Sequence, residues 1–448
     1  MMQARHLAAL AVVLAAALAS PVLAQDGADG AGEWFAPLKG IPIGPGTLDV
    51  GLNVRVRLEH SDNTTIKTYG TEAQDDVLAL RTQLGFDYHV SADAHVYVLF
   101  QDSRFWLSDL EREDFPASCP YYDQFDVRQA YVAWRHVGGS VFGFTLGRQA
   151  ISYADKRVFG PSGWGNVGKY WWDAAKVTVD TEPVQVDVLY GMRVVSEQTG
   201  FNDTHDPYDM YAVYAQFKGL PCKLDAFYAL RDEDDEVEGE SGPGDAQRHT
   251  LGVYADGTSG AWDYRGTLAV QVGSYGEDDI EALGANARVG YTFDSPWKPR
   301  AGIEFNYASG DDDPDDGTNG TFDGVFGAVP PFYGRMNLVS WSNLEDYQLS
   351  FSVKPAKTVT VALDHHILRL ASAEDNWYWC NNTVRRAPTE DSGDELGQET
   401  DLTVKYAITE NLELFAGYAH FFAGTFVERT PGNGDDADWA FVQLTYSF

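Results

Sequence analysis

Apolar and polar residues alternate along most of this chain, from Leu48 to its last residue. In the stretch LDVGLNVRVRLEH, Val54 and Val56 share one phase, and Arg55 and Arg57 occupy the other. A period of two places successive side chains on opposite faces of a β-strand, so this stretch predicts a strand with one apolar and one polar face. No ten-residue segment beyond Leu48 shows a competing helical period.

Runs of this kind predict eighteen strands, separated by connections of two length classes. The runs span 48–60, 77–90, 94–106, 125–136, 140–151, 171–181, 183–195, 208–218, 222–232, 247–256, 261–274, 282–293, 299–309, 343–354, 357–370, 396–408, 411–422 and 438–448. Short connections include 91–93, 137–139, 219–221, 355–357 and 409–411, and long ones include 107–124, 152–170, 310–342 and 371–395. Strict alternation of short turns and long loops around an even number of strands is typical of outer-membrane barrels.

A closed barrel also explains the two faces of each run. Within hydrocarbon every backbone N–H and C=O must be paired inside the protein, and a closed sheet achieves this while its apolar side chains face lipid. The sequence therefore predicts an all-β fold, a transmembrane antiparallel up-and-down β-barrel of about 18 strands over residues 48–448. A barrel of this width encloses an aqueous channel unless loops fold inward.

The N-terminal segment predicts export to a Gram-negative outer membrane. Arg5 precedes an apolar run from Leu7 to Leu18, and residues 22–24 resemble a signal-peptidase site, so 1–24 are predicted to be a signal peptide. A transmembrane anchor is the weaker alternative, because spanning needs about 20 apolar residues. Residues 25–47 form a predicted periplasmic lead-in. The final Phe448 resembles the C-terminal signal that the barrel-assembly machinery reads, so this machinery is an expected partner.

The charge balance limits the classes of ligand. The chain has 67 acidic and 32 basic residues, a formal net charge of −35, so net charge will not bind it to nucleic acid or to an anionic membrane surface. The densest acidic runs, 232–240, 310–317, 390–395 and 434–439, all lie in or beside predicted long loops.

Acidic loops raise the question of calcium, the one cofactor for which the sequence offers ligands. Ca²⁺ prefers oxygen ligands, which the run at 310–317 supplies, and cations could also bridge such loops to lipopolysaccharide. A solvated loop is the reading we favour, because strict EF-hand spacing is lacking. The candidate ligands are Asp311, Asp312, Asp313, Asp315 and Asp316.

The cysteines indicate neither a zinc site nor a thioredoxin-like motif. Cys119, Cys222 and Cys380 lack C-x-x-C spacing. Cys119 and Cys380 fall in predicted long loops on the same side of the barrel, where an oxidising compartment permits a disulfide. Two free thiols are the alternative, and the sequence leaves both open.

One stretch carries a family resemblance. LGRQAISYADKRVFGPSGWGNVGKYWWDAAKVTV, residues 146–179, closely resembles the signature of the alginate export family, with further matches at 81–88, 101–104, 127–134, 321–338 and 397–426. The resemblance implies a monomeric 18-stranded outer-membrane barrel. It also implies that a newly made anionic polysaccharide, alginate or another polyuronate, leaves the periplasm past basic residues at a constriction. The aromatic residues of this loop, Trp164, Tyr170, Trp171 and Trp172, suit the boundary between water and lipid.

Basic residues in the inward phase, or in the family motifs, are the candidates for lumen selectivity. Arg55, Arg57 and Arg81 lie on adjacent predicted strands and form the strongest cluster. The local alternation leaves the facing of Arg104, Arg128 and Arg148 open, and Gly147 marks a potential bulge. Inward acidic residues such as Glu59 and Glu304 also permit structural salt-bridge ladders. The inward phase also holds Lys176, Arg231 and Arg300, and the candidates for lumen selectivity are Arg55, Arg57, Arg81, Arg104, Arg128, Arg148, Arg193, Arg265, Arg288 and Lys405.

Three functions remain in competition. The first is an export porin for an anionic exopolysaccharide, with outer-membrane lipid, lipopolysaccharide and periplasmic export proteins as further partners. The second is a diffusion or uptake porin for small solutes. The third, an enzyme, is disfavoured because His249, His365 and His366 have no nucleophile at recognisable spacing, and the adjacent His365 and His366 point to opposite faces of one strand.

Overall fold

The computed structural model describes residues 38–115, 119–204, 208–327, 332–380 and 382–448. The predicted signal peptide and the first part of the predicted lead-in, residues 25–37, lie outside the described residues. Across the described part of the chain, no helix is long and apolar enough to cross a bilayer.

Eighteen long strands close into one antiparallel barrel, which confirms the fold predicted from the alternation. Each strand pairs with the next, and the last pairs with the first through a register from Asn53 opposite Ser447 to Asp62 opposite Asp438. The strands are β1 (Gly46–Thr64), β2 (Tyr69–His89), β3 (Ala94–Trp106), β4 (Asp123–Trp134), β5 (Phe142–Ala150), β6 (Trp171–Asp180), β7 (Val184–Val194), β8 (Tyr208–Phe217), β9 (Lys223–Glu238), β10 (Pro243–Ser259), β11 (Trp262–Tyr275), β12 (Asp278–Thr292), β13 (Arg300–Ala308), β14 (Leu344–Ala356), β15 (Val359–Arg369), β16 (Glu395–Ala407), β17 (Leu412–Ala423) and β18 (Ala437–Ser447).

The two faces of the strands meet different environments, as the alternation predicts. On β11, Leu268, Val270 and Val272 are 44–48% exposed, whereas Ala269 and Gln271 between them are at most 1% exposed. The exposed apolar side chains form the lipid-facing surface, and the intervening residues face the interior.

The strict alternation of short and long connections is wrong at three places. At the long-loop end, β1 and β2, β9 and β10, and β11 and β12 are joined by only residues 65–68, 239–242 and 276–277. The strands run on past the apolar segments because polar residues continue the hydrogen-bonded ladder beyond the bilayer. The acidic run 232–240 consequently lies mainly on β9, not in a long loop.

The remaining long loops fold into the barrel and give it a protein core. The loops at 151–170, 309–343, 370–394 and 424–436 contribute fully buried Phe159, Phe322, Leu338, Trp377 and Phe426. Small elements accompany them: strands Ile41–Ile43, Thr318–Asn319, Trp377–Tyr378 and Val384–Arg386, 3-10 turns Arg112–Asp114 and Val137–Gly139, and helix Thr425–Arg429. The condition that loops fold inward is therefore met, and the lumen is narrower than the strand count alone implies.

Candidate functional site

Three arginines form a cluster on the inner wall halfway along β1 and β2. Arg55 and Arg57 share the inward phase of β1, and Arg81 of β2 is directly opposite Arg55 in the ladder. Arg55 and Arg57 are only 3% and 2% exposed. The cluster that the sequence favoured therefore faces the lumen, with two like charges as direct cross-strand neighbours.

Backbone carbonyls of the β5–β6 loop, residues 151–170, cover this cluster. Arg55 donates from Nη1 to the carbonyl of Gly163 and from Nη2 to that of Gly165, each at 2.7 Å. Arg57 donates from Nη1 to the carbonyl of Trp164, also at 2.7 Å. Because these acceptors are uncharged, the loop hydrogen-bonds the Nη groups of Arg55 and Arg57 without neutralising the two side chains.

Trp164 fixes the tip of this loop against the opposite side of the barrel seam. Its ring makes edge-to-face contacts with Phe415, Trp439 and Phe441, with centroids 6.2, 5.5 and 4.9 Å away. The predicted position at the water–lipid boundary is therefore wrong for Trp164. It is also wrong for Trp172, which is 1% exposed and packs on Phe326 of another loop. Trp164 belongs to the interior because its loop folds inward, and Trp172 because it is in the inward phase of β6.

The arginine cluster has little local acid to balance it. Arg57 Nε binds Glu59 at 2.7 Å. In the described part of the chain, Glu59 is the one acidic residue with a carboxylate oxygen within 4 Å of a guanidinium nitrogen of the cluster. The Nε groups of Arg55 and Arg81 are buried and make no hydrogen bond to any described residue. The site therefore concentrates positive charge in a protein that is acidic overall.

Other inward candidates have partners that moderate their charge. Arg265 binds Asp256 at 2.8 Å, and Arg288 lies 3.5 Å from Asp263. Two more candidates make cation–π contacts: Arg193 lies 5.0 Å from the centre of the Tyr208 ring, and Lys405 lies 4.7 Å from the centre of the Phe415 ring. These residues line the interior, but the salt-bridge interpretation fits Arg265 and Arg288 better than a selective patch.

Arg104 and Arg148 do not belong to the lumen, which corrects their candidacy. Arg104 is in phase with Trp106, 49% exposed, and binds both carboxylate oxygens of Asp102 at 2.6–2.8 Å. Arg148 likewise binds both oxygens of Asp173 on the neighbouring strand at 2.9 and 3.0 Å.

The backbone is distorted at Gly147, next to Arg148. Gly147 adopts φ +119°, and a Cβ there would lie 2.3 Å from the carbonyl oxygen of Ala130. Arg148 nevertheless keeps the phase of Leu146, which is 56% exposed, while Gln149 faces the interior at 3% exposure. The distortion that the sequence indicated is present, but it does not turn Arg148 inward.

Arg128 does reach the interior, at a bulge in β4. The register with β3 steps from Leu99–Gln129 to Phe100–Val127, which leaves Arg128 outside the ladder. Its guanidinium lies 4.2 Å from the centre of the Trp171 ring, and a Cβ on Gly168 would meet its Nη2 at 2.9 Å. Gly168 has φ +92°, so glycine suits this close approach on both counts.

Arg157 is the main interior residue that the candidate set lacks. It is 2% exposed and donates to Glu304 Oε1 at 2.7 Å, Asn306 Oδ1 at 2.8 Å and the Tyr333 hydroxyl at 2.9 Å. Burial alone would lower its pKa, but the nearby Tyr333 and Glu304 oxygens outweigh burial and raise the pKa above its usual value. Since Arg157 contacts β13 while Trp164 contacts β1, the loop spans the lumen.

A second loop, residues 309–343, also crosses the interior. The backbone N–H of Arg335 donates to Asp401 at 3.1 Å, and that of Met336 donates to Glu399 at 2.9 Å. The same loop reaches the other wall, where Asp323 accepts from Arg231 on β9 at 3.0 Å. Inward acidic residues thus anchor loop backbone as well as balancing arginines.

A cavity of about 420 Å³ lies between these loops at the outer end of the barrel. Its lining includes Lys169, Arg193, Cys119 and Cys380. Of the two alternatives left open by the sequence, the structure has the free thiols: Cys119 and Cys380 are unpaired cysteines on two different loops that both border the cavity.

The aspartate loop does not converge on a metal position. No three of the five predicted calcium ligands bring oxygens within 4.8 Å of one another in the described chain. Several instead accept backbone N–H groups, as Asp311 does from Asp313 and Gly320 at 3.3 Å. Calcium binding therefore remains a prediction, and this loop conformation fits the solvated-loop alternative.

The family model described as Alginate export matches residues 47–441, nearly the whole chain. The chain belongs to the alginate export family. Its cellular location is the outer membrane, and its fold is that of the porin barrels. No curated protein matches the chain.

Solved porins share the fold at very low sequence identity. OccK9 (OpdG) of Pseudomonas aeruginosa is 11% identical with a TM-score of 0.60, and OpdQ of the same organism is 11% identical with a TM-score of 0.59. OpdK of this organism, solved with vanillate, is 12% identical with a TM-score of 0.58. In each comparison the match covers 90% of this chain and 98% of the other. These alginate-export and porin relationships are to transport proteins, not to enzymes.

Proposed function

We propose that this protein passes an anionic polysaccharide, alginate or another polyuronate, from the periplasm to the exterior. The observation that carries the proposal is the cluster of Arg55, Arg57 and Arg81 at mid-height on the inner wall, with Glu59 as its nearby acid. Membership of the alginate export family supports the same direction and class of cargo. We further propose a non-catalytic monomer that receives its cargo from periplasmic export proteins.

The cluster destabilises the sheet, and a purely structural role would not explain its presence. Like charges directly opposite in a sheet destabilise it, and Arg55 and Arg81 occupy such positions. Guanidinium groups bind carboxylates through a planar fork. A uronate carboxylate can therefore replace the loop carbonyls of Gly163 and Gly165 as the acceptor, and several such weak sites let a chain move on.

Ion selectivity and block in planar bilayers test this proposal. We expect the refolded protein to show anion selectivity in a KCl gradient, and oligouronates on the periplasmic side to block its current. Replacing Arg55, Arg57 and Arg81 together with Ser should shift selectivity toward cations and abolish the block, while the folded barrel stays heat-modifiable on gels.

The matched control removes three inner-wall arginines that have acid partners, Arg265, Arg288 and Arg300. Arg300 binds Asp263 at 2.7 Å, so all three lie within 3.5 Å of a carboxylate. We expect oligouronate block to survive in this variant. Equal loss of block in both triple variants would assign the effect to general lumen charge and contradict a specific cluster.

Uptake or diffusion of a small solute is the second candidate. Two observations favour it: the solved neighbours include a porin crystallised with vanillate, and the loops border an open cavity of about 420 Å³, which is the size of a small-molecule site. Cation selectivity without oligouronate block would support this function and overturn polymer export.

A further inference from the structure

Two histidines and an aspartate meet on the inner wall at the end of the barrel that carries the short turns. His89 of β2 and His95 of β3 are cross-strand neighbours beside the turn at residues 90–93, and Asp87 lies one inward position further along β2. Val90 and Val96, in the opposite phase, are exposed on the outside at 45% and 37%. Short turns face the periplasm in outer-membrane barrels, so this cluster borders the periplasmic mouth.

The ligand atoms of the three side chains converge. His95 Nδ1 lies 2.8 Å from Asp87 Oδ1, and His89 Nε2 lies 3.5 Å from Asp87 Oδ2. The two imidazole rings stack with centroids 5.6 Å apart and planes 19° apart. One atom from each residue falls within 4.8 Å of the others, and all three side chains are half-buried rather than sealed.

A fourth oxygen stands beside the three. Asp49 of β1 is directly opposite Asp87, and its Oδ2 lies 3.7 Å from His89 Nε2. The other oxygen, Oδ1, accepts the backbone N–H of Gly40 at 2.6 Å. The lead-in therefore orients Asp49 toward the cluster, in the way that outer contacts commonly orient metal-binding carboxylates.

We propose that Asp87, His89 and His95, with Asp49 as a fourth ligand, bind a borderline divalent transition-metal ion of the zinc class. Neutral imidazole and carboxylate ligands suit Zn²⁺, Cu²⁺ and Ni²⁺, whereas Ca²⁺ and Mg²⁺ prefer all-oxygen shells. A bound cation also relieves the repulsion between the facing carboxylates of Asp49 and Asp87. This site is independent of the cargo proposed above.

Other histidine–aspartate contacts lack the second imidazole. His136, at the same mouth, lies 3.3 Å from Asp93 and 3.9 Å from Asp180. His366 sits between Asp346 and Asp401 deep in the wall. Across the residues that the structure describes, Asp87, His89 and His95 are the one group of three such side chains whose ligand atoms all lie within 4.8 Å of one another. His136 therefore provides a matched control that has the acids but only one ring.

Zinc titration of the refolded full-length barrel tests the site. With excess Mg²⁺ present to occupy all-oxygen sites, we expect calorimetry with ZnCl₂ to show one tight site per barrel. His89→Ala with His95→Ala should remove that site, and His136→Ala should retain it. Absence of a stoichiometric site in the wild type, or an unchanged site in the double variant, would overturn the proposal.

Zinc K-edge absorption on the wild-type complex provides a readout that needs no variant to fold. Two imidazole nitrogens at about 2.0–2.1 Å are expected in the first shell. A shell made of oxygen alone would assign the bound zinc to the acidic loops and contradict the proposal.

Discussion

Arg57 holds both the backbone and the ring of Trp164. Its Nη1 donates to the Trp164 carbonyl at 2.7 Å, and its guanidinium carbon lies 4.0 Å from the centre of the indole ring. A desolvated cation–π contact of this kind contributes about 2 kcal/mol, and the hydrogen bond adds to it. One inner-wall side chain thus fixes the loop tip at the middle of the barrel.

Trp164→Ala is expected to widen the conducting path. The substitution removes the ring that packs on Phe415, Trp439 and Phe441, and it leaves Arg57 accessible to solution. Single-channel conductance should rise, and the barrel should remain heat-modifiable. Trp134→Ala, which removes a lipid-facing ring that is 42% exposed, is the matched control and should leave conductance unchanged. Equal conductance of Trp164→Ala and wild type would contradict a constricting role for the loop.

Arg157→Met should destabilise the folded protein by about 3–5 kcal/mol, because it leaves Glu304, whose side chain is only 10% exposed, without its cation. Urea unfolding in detergent, followed by tryptophan fluorescence, measures this change. Adding Glu304→Gln should recover part of the loss. The exposed neighbour Lys156, changed to Met, is the control and should have little effect. A loss no larger for Arg157→Met than for Lys156→Met would show that the lumen-spanning contact is not stabilising.

Arg148→Ser should lower the stability of the folded protein and leave its ion selectivity unchanged. The two hydrogen bonds from Arg148 to Asp173 join β5 to β6, and a hydrogen bond to a charged group contributes about 1.5–3 kcal/mol. Arg148→Lys should restore stability only partly, since lysine lacks the planar fork. Reversal potentials of Arg148→Ser, measured alongside those of the triple variant at Arg55, Arg57 and Arg81, test whether Arg148 affects ion selectivity. A shift toward cations in Arg148→Ser would return Arg148 to the lumen set.

Acidic pH should stabilise the contact between Glu240 and the loop that carries Asp311. Partial desolvation and a hydrogen bond with Asp311 raise the pKa of Glu240 from 4.5 to about 7. A carboxyl with a raised pKa stabilises the folded contact fully below pH 4.5 and loses that contribution as the pH rises through about 7. Hydrogen exchange of residues 311–320, corrected for intrinsic rates, should therefore show more opening at pH 8 than at pH 5.5.

The control for this pH effect is a neutral side chain at the same place. Glu240→Gln should remove the difference between the two pH values, whereas Glu238→Gln at the end of β9 should keep it. The same pH dependence in all three proteins would assign the opening to other acids of the loops.

The strands of the barrel wall could be predicted from the sequence far better than the loops that fold into the barrel. Period-two alternation is a property of each strand by itself, so it predicts the inward facing of Arg55, Arg57 and Arg81 without knowledge of the rest of the fold. The positions of Trp164 and Arg157 depend on a loop that folds back, and glycine-rich aromatic sequence suits both a membrane boundary and a buried loop tip. An acid two residues away in the same phase accompanies Arg104 as Asp102 and Arg57 as Glu59, so this sequence signal by itself does not separate paired arginines from the cluster.

The place where Trp164 docks has a consequence for assembly. The first and last strands, β1 and β18, form the seam that closes the barrel, and Trp164 contacts Arg57 on β1 together with Trp439 and Phe441 on β18. The loop tip therefore contacts both edges of the seam. A chain that closed with its loop outside would lack these contacts, so we expect loop insertion to favour closure of the seam.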